Sequence, residues 1–476
     1  MDWLTIRRKL RTHWHILACT EHPQQSFSAK SLKCRTRILG WAVCGGVALV
    51  VLACLLNFSI FPAVNPISDT FKASIISTEL RKSALEGAIV DRNGLAITQL
   101  ATTSETMGAV THDYAYSFLL GYNTTTYGAR GLRDTFGTYL YETLDQDSRG
   151  ATLQLSLDSR LQAFCYDEIL AGEEGSVIVL DNKTGAVLAM TSASTVPYSL
   201  NELSDFLQES VAVDGSQLDR ATQVLDPPGS VFKVITATAA LEMPLAEASY
   251  VYNDTGAYAI SDDVSIYNAS HAVYGTLDLQ QALSYSSNVY FSYLTESVGY
   301  EQMDVTAQSF LLGTDIVLDF ATLHSNWTVD NTDPVAYVPC GFGQGSTLVS
   351  PTQMCMWMQA IANGGLLCLP HVVDSATSEE VCVYQGQVET LQIMSAETAE
   401  TMKNLLYNVG EHYDLGDGIA AKTGTAELSD GTCHIYIAGF TDEISFIISK
   451  NHGTYGSTLR DPATQLVAFW ENLNAI

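Results

Sequence analysis

The chain has 476 residues, of which 47% are hydrophobic and 16% are charged. This composition is too apolar for a chain that is disordered throughout, and the length predicts two or three structural units with at least one full core. The formal net charge of −29 excludes nucleic acid as an expected partner, because binding to phosphates depends on lysine and arginine. We interpret the acidity as a soluble, self-repelling surface.

The N-terminal segment is basic, and an uncharged segment follows it. The first 37 residues contain eight Lys and Arg side chains against two acidic ones, and Gly40 to Phe61 is almost wholly apolar. Such a segment can cross roughly 30 Å of hydrocarbon as a helix. The pattern predicts a cytoplasmic tail over residues 1–37, a single transmembrane helix over 38–62 and an exported remainder. A buried helix or a cleavable signal peptide is the alternative, but the apolar segment is long for a signal peptide.

The exported part divides near residue 150. Residues 63–150 contain polar and glycine-containing stretches without a long periodic helix, which predicts a small accessory module. Residues 151–476 have stronger patterns and predict one catalytic unit with an α+β fold. Its predicted strands are Ser176–Leu180 and Ala186–Met190, which form a hairpin, and Lys422–Glu427, His434–Phe440 and Glu443–Ser449. Its predicted helices are Val231–Met243, one that begins at Pro351 after the N-cap Ser350 and stops at Gly364, and Ala396–Asn408.

Ser230 and Lys233 form the first candidate reactive pair. Three residues separate them at the start of a predicted helix, so both side chains lie on one helical face. A serine hydroxyl attacks an amide only when a base takes its proton, and a lysine can be that base once burial or a nearby cation lowers its pKa. Between Lys233 and Lys403 there is no other Lys or Arg, so a role in surface charge is not evident. The pair suits a Ser–Lys nucleophile, although the pattern alone has low specificity.

Ser286 and Asn288 follow in a segment whose Leu279, Leu283 and Tyr290 predict one face of a helix. A hydroxyl and an amide at this place could relay a proton and orient a substrate. The Ser-x-Asn triplet also occurs elsewhere in the chain, so only its position between the other two motifs distinguishes it.

The third candidate segment is Lys422-Thr423-Gly424-Thr425 at the start of a predicted strand. Its backbone and hydroxyls could line a substrate along a sheet edge, with Gly424 allowing close approach. The Lys422 charge could lower the pKa of Lys233 and attract a substrate carboxylate. A second Lys-Thr-Gly begins at Lys183, but it falls in the predicted hairpin turn and reads as a turn only.

The histidines and cysteines do not form a metal-binding pattern. The ten histidines include no HExxH or clustered ligand arrangement, and the six cysteines after the apolar segment lack CxxC spacing. We therefore predict no metal and no cofactor.

In this order, the three motifs resemble the set shared by class A β-lactamases and penicillin-binding proteins. The resemblance extends to longer segments, namely Arg220-Ala221 with 227–233, Gly341–Gly345 with Val349–Met354, and 87–94 with 120–122. The last two are similar to the non-catalytic pedestal of class B penicillin-binding proteins. Two pedestal positions depart from the family pattern, because Glu86 stands where Arg is common and Arg133 where Glu is usual.

The resemblance implies a peptidoglycan D,D-transpeptidase in a bacterial cytoplasmic membrane. Its fold would be a serine β-lactamase-like domain, an antiparallel sheet flanked by helices, carried on an anchor and a pedestal or dimerisation-type module. Its substrates would be stem peptides, its inhibitors β-lactams, and its partners a glycosyltransferase and other wall-synthesis proteins. The implied roles are nucleophile for Ser230, base for Lys233, proton relay for Ser286, amide binding for Asn288, and carboxylate binding for Lys422, Thr423 and Thr425. Gly424 belongs to the same substrate-binding segment.

Three alternatives stay open at this point. A D,D-carboxypeptidase or a serine β-lactamase would share the fold and differ in where the acyl group goes. Between Asn288 and Lys422 there is no convincing ExxLN segment, which class A β-lactamases use to position water. A catalytically silent scaffold or β-lactam sensor is the third alternative. The sequence does not decide between elongation, division and sporulation, nor the crosslink type or the oligomeric state.

Overall fold

The computed structural model describes residues 85–102, 107–141, 149–193, 203, 218–243, 250–428 and 431–475. The predicted cytoplasmic tail and transmembrane helix lie outside these residues, as does the start of the predicted accessory module. Within the described ranges, no helix has the length and apolar character needed to cross a membrane.

An antiparallel five-stranded sheet forms the centre of the fold. Its strands are β1 (Gly175–Asp181), β2 (Val187–Ser192), β3 (Ala420–Glu427), β4 (Cys433–Phe440) and β5 (Ile444–Gly453), in the spatial order β3-β4-β5-β1-β2. Nearly every residue of β1 and β2 is buried, so both faces of the sheet are covered. The predicted strands are confirmed with small shifts of their ends, and β3 lies at an edge as expected.

The turn between β1 and β2 contains the first Lys-Thr-Gly. Asp181 Oδ1 accepts hydrogen bonds from the backbone N–H groups of Lys183 and Thr184, at 3.0 and 2.8 Å. Gly185 has a φ of 71°, which suits glycine. This copy of the motif is therefore a hairpin turn, as predicted.

Six helices are labelled α1 (Lys233–Leu241), α2 (Leu279–Tyr285), α3 (Asn288–Val298), α4 (Pro351–Ala362), α5 (Ala396–His412) and α6 (Arg460–Asn474). Helices α4 and α5 pack against the central sheet. The predicted start of α4 is confirmed, because Ser350 caps it by accepting from Gln353 N at 3.3 Å. Helix α5 runs four residues past its predicted end, since Met402, Leu406 and Val409 continue its buried face.

The other described elements are helices, 3₁₀ turns and short paired strands. The helices are Asp113–Leu120, Leu132–Thr135, Gly137–Tyr141, Ser159–Phe164 with the π-helix Cys165–Leu170, Tyr300–Ser309 and Pro334–Cys340, and the 3₁₀ turns are Gly229–Phe232, Ala269–His271 and Gly456–Leu459. The paired strands are Asn123–Thr124 with Gly128–Ala129, Tyr252–Asp254 with Gly275–Leu277, Ala257–Ala259 with Ser265–Tyr267, Ile316–Val317 with Thr322–Leu323, Ser325–Asn326 with Leu348–Val349, and Leu366–Cys368 with Thr390–Gln392.

A second sheet joins the segment before residue 150 to the rest of the fold. Its strands, in spatial order, are Ile89–Val90, Thr152–Leu155, Val373–Ser378 and Val381–Gln385. Thr152–Leu155 pairs in parallel with Ile89–Val90 and antiparallel with Val373–Ser378. The early strand is thus hydrogen-bonded to Thr152–Leu155, which in turn pairs with a strand more than 200 residues later in the chain.

Glu86 and Arg133, the two departures from the family pattern, form one buried ion pair. Arg133 Nε lies 2.6 Å from Glu86 Oε1, and the two side chains are 0% and 1% exposed. Arg133 also donates to the carbonyls of Gly121 and Gly108, at 2.9 and 3.1 Å. Glu86 accepts from Tyr141 OH at 2.7 Å and from Gly108 N at 2.5 Å. The two departures therefore form one pair of opposite charges in this structure.

Candidate active site

Ser230 lies in a 3₁₀ turn, Gly229–Phe232, that leads directly into α1. The sequence placed it at the start of a regular helix; the structure has one tighter turn first. Gly229 has a φ of 54°, and a Cβ on it would come within 2.8 Å of Thr425 O. Glycine is therefore required where the turn meets strand β3. Ser230 itself is partly exposed and can be reached from solvent.

Lys233 is fully buried beside Ser230. Its Nζ lies 3.0 Å from Ser230 Oγ, 2.7 Å from Ser286 O, 3.1 Å from Ser286 Oγ and 2.8 Å from Asn288 Oδ1. Burial, and then the positive charge of Lys422, hold the pKa of Lys233 well below its ordinary value. This lowered pKa favours the neutral form of the amine more than in an ordinary lysine, and the neutral form can accept a proton from the Ser230 hydroxyl.

Ser286 lies between two helices. The predicted single face of Leu279, Leu283 and Tyr290 was wrong, because α2 ends at Tyr285 and α3 begins at Asn288. Ser286 adopts the left-handed conformation, with a φ of 55°, which is uncommon for a residue other than glycine. This break directs both the carbonyl and the hydroxyl of Ser286 toward Lys233.

A buried polar network, which sequence reasoning missed, supports this break. Ser287 Oγ donates to Asp254 Oδ2 at 2.6 Å and caps α3 by accepting from Tyr290 N. Asn268 Nδ2 donates to both carboxylate oxygens of Asp254, at 2.9 and 2.8 Å. The three side chains come from segments 14 to 33 residues apart, so no local pattern could reveal them.

Strand β3 brings Lys422 to the other side of Ser286. Lys422 Nζ donates to Ser286 Oγ at 3.0 Å, so Ser286 Oγ bridges the two lysines. Thr423 and Thr425 alternate with buried neighbours and are partly exposed. Gly424 is buried, and a Cβ added to it would lie 3.1 Å from Pro228 O. The close approach that Gly424 allows is therefore that of the Ser230 turn.

Tyr413 completes the buried polar cluster and was also missed from the sequence. Its hydroxyl lies 3.2 Å from Lys422 Nζ and 3.1 Å from Thr423 Oγ1. It precedes Lys422 by nine residues, and this spacing carries no recognisable signal.

The structure thus brings all eight candidate residues to one place. In the described part of the chain, Ser230 and Lys233 have hydroxyl, amide, carbonyl and amine neighbours within hydrogen-bond distance and no carboxylate. No group of three or more potential metal ligands occurs among the same residues. Such an arrangement can activate a serine with a neutral lysine and offer positive charge beside it.

Comparisons with known proteins agree with this chemistry. The model of the penicillin binding protein transpeptidase domain matches residues 175–460, more than half of the chain. The peptidoglycan D,D-transpeptidase PbpA of Mycolicibacterium smegmatis is 26% identical over 303 residues, which cover 59% of this chain and 62% of that protein. The chain spans less than two thirds of the length of the first curated relatives that it matches.

Two solved structures show the same fold. The D,D-transpeptidase domain of a peptidoglycan glycosyltransferase from Eggerthella lenta has a TM-score of 0.72 and 24% identity, and the match covers 81% of this chain and 99% of that one. Penicillin-binding protein A of M. tuberculosis, in a penicillin G acyl-enzyme complex, has a TM-score of 0.73 and 21% identity, with 81% and 99% covered.

The fold is that of the serine β-lactamase and transpeptidase class. Within this class, the chain belongs to the penicillin-binding protein transpeptidase family. The family predicted from the three motifs is therefore confirmed.

Proposed function

We propose that this chain is a peptidoglycan D,D-transpeptidase that acts through an acyl-enzyme on Ser230. The observation that carries the proposal is the fully buried amine of Lys233, which lies 3.0 Å from a serine hydroxyl that remains partly exposed. A general base must lie within hydrogen-bond distance of a hydroxyl that the substrate can reach, whereas a lysine with a purely structural role need not.

In the proposed first step, Ser230 Oγ attacks the carbonyl carbon of the penultimate D-Ala. The hydroxyl proton passes to Lys233 Nζ, and the C–N bond to the terminal D-Ala breaks. Ser286 Oγ, 3.1 Å from Lys233 and 3.0 Å from Lys422, relays a proton to the leaving nitrogen. The terminal D-Ala leaves as a free amino acid, and the stem peptide stays as an ester on Ser230.

In the second step, the side-chain amine of another stem peptide attacks the ester carbonyl. Its lost proton returns to Ser230 Oγ through the same groups, and an amide crosslink forms. A β-lactam would enter at the first step, because opening of its ring forms the same kind of ester. The leaving amine then stays attached, which would make the adduct persistent.

The remaining residues bind the substrate in this proposal. Asn288 holds the peptide amide, while Lys422, Thr423 and Thr425 bind the terminal carboxylate along β3. Gly424 contributes by letting the Ser230 turn lie against this strand. The backbone N–H groups of Ser230 and Thr425 form the oxyanion hole, where negative charge develops during attack.

We further propose the organisation predicted from the sequence. Residues 1–37 form a cytoplasmic tail, 38–62 a single transmembrane helix, 63–150 a pedestal and 151–476 the catalytic domain outside the membrane. The basic tail and the uncharged apolar segment support this orientation. Partners would include a glycosyltransferase that supplies glycan strands.

The test uses a synthetic stem pentapeptide that ends in D-Ala-D-Ala, with a second stem peptide whose side-chain amine is free. Mass spectrometry of the products separates the candidate functions. A peptide dimer with release of D-Ala from wild type, but not from S230A, is expected. Release of D-Ala with a shortened monomer only would indicate a carboxypeptidase, and no release would favour a silent scaffold. Rapid turnover of a chromogenic β-lactam would instead indicate a β-lactamase.

A further inference from the structure

Tyr413 lies where helix α5 ends and its hydroxyl enters the candidate active site. The residue is 4% exposed, and its N–H donates to Val409 O, which continues the helical pattern by one residue. Its hydroxyl oxygen is within 3.2 Å of both the Lys422 ammonium and the Thr423 hydroxyl. One phenol therefore contacts two of the three polar side chains of β3 that are proposed to bind the carboxylate.

Two cations lie around the Tyr413 ring. The Arg460 guanidinium carbon is 4.6 Å from the ring centroid, and Lys422 Nζ is 5.8 Å from it. Among the described residues, neither cation has a carboxylate at ion-pair distance. The aromatic face and the phenol oxygen thus take the place that an acidic side chain often has between two cations.

We propose that Tyr413 is a positioning residue that directs Lys422 and Thr423 toward the terminal carboxylate of the substrate. In the structure, Lys422 Nζ and Thr423 Oγ1 both donate to the Tyr413 oxygen. When the substrate carboxylate binds, the Thr423 hydroxyl turns to donate to the carboxylate and accepts from the Tyr413 hydroxyl, while Lys422 still donates to Tyr413. A carboxylic acid side chain at this place would neutralise Lys422 and repel the substrate. A phenol orients the same groups without adding a negative charge to the site. This inference rests on the proposed function and adds a residue to its substrate site.

The electrostatics of Tyr413 agree with this role. Burial alone would raise the pKa of its hydroxyl, but the charge of Lys422, hydrogen bonds with Thr423 and Lys422 and the charge of Arg460 bring this pKa below its ordinary value. With the pKa lowered, the Tyr413 hydroxyl is a better donor to Thr423 than an ordinary phenol.

The experiment compares acylation of the full-length protein by benzylpenicillin and by its methyl ester, which lacks the carboxylate. The Y413F variant keeps the ring against Arg460 and loses only the hydroxyl. We expect benzylpenicillin acylation to slow by about tenfold to hundredfold, since contacts with a charged group are involved, and ester acylation by less than about threefold. Y407F is the matched control, because Tyr407 is on the same helix and its hydroxyl contacts Asp442.

A double-mutant cycle with Thr423 gives an independent readout with benzylpenicillin alone. If Tyr413 acts partly through Thr423, Y413F slows acylation by a clearly smaller factor in a T423V background than in wild type. The inference is overturned if Y413F slows acylation by the same factor in both backgrounds, or by the same factor with benzylpenicillin and its ester. It is also overturned if Y413F does not slow acylation by benzylpenicillin. Absence of acylation in wild type would instead contradict the proposed function, and the inference with it.

Discussion

Replacing Arg133 by methionine tests the buried ion pair of the early segment. The change keeps an extended side chain and removes the charge, so the Glu86 carboxylate stays buried without its cationic partner. The carbonyls of Gly121 and Gly108 lose their donor at the same time. Breaking a fully buried pair in this way typically costs about 3–5 kcal/mol of unfolding free energy.

The assay is urea unfolding of the purified full-length protein, followed by fluorescence. With a slope of about 3 kcal/mol per molar urea for a protein of this size, the loss lowers the midpoint by about 1–2 M. His324 supplies the control, because its side chain and that of its partner Asp315 are 58% and 69% exposed. H324M should cost about 1 kcal/mol or less. A midpoint for R133M equal to that of wild type would refute the reasoning.

The same cluster predicts which charge belongs at which position. Carbonyl oxygens point at Arg133, whereas Gly108 N and Tyr141 OH donate to Glu86. The double exchange E86R/R133E restores a pair of opposite charges but leaves these groups facing the wrong partner. We therefore expect it to unfold at lower urea than wild type, and a midpoint at or above that of wild type would show that the pair alone decides stability.

Three further predictions concern the active site. The rate of penicillin acylation should rise with pH through the pKa of Lys233, because the neutral amine is the base. K422M should move this rise to higher pH, because Lys233 loses the neighbouring positive charge that lowers its pKa. A pH profile that K422M does not move would contradict this coupling. G229A should slow acylation by about tenfold or more, because the added Cβ forces the Ser230 turn away from Thr425. The control G172A should leave the acylation rate within about twofold, because a Cβ on Gly172 would meet open space. D254A should also slow acylation by about tenfold, because Ser287 and Asn268 lose the acceptor that stabilises the helix break at Ser286. An acylation rate that stopped-flow measurements find unchanged would show that this network does not support the active site.

The strands and the strongest helix signals could be predicted because their causes are local. Alternating or continuous apolar residues set β1 to β5, and Ser350 followed by Pro351 set the start of α4. The three motifs could be placed together through the family resemblance, but composition and spacing alone did not bring Lys422 to Lys233. That contact depends on β3 meeting the Ser230 turn, nearly 200 residues earlier in the chain.

The break at Ser286 could not be predicted for a related reason. A left-handed serine is locally unfavourable, and apolar spacing on both sides favours one continuous helix. The structure maintains the break through Asp254 and Asn268, which reach it from another segment. Likewise, Glu86 and Arg133 read as two unrelated departures until the fold placed them 2.6 Å apart.

The most direct test of the central claim is the intact mass of the full-length protein after exposure to benzylpenicillin, followed over time. The account predicts one covalently bound drug molecule per chain, mapped to the peptide that contains Ser230, and no adduct on folded S230A or K233M. An adduct that persists on S230A, or a folded wild type that stays unmodified, would contradict it.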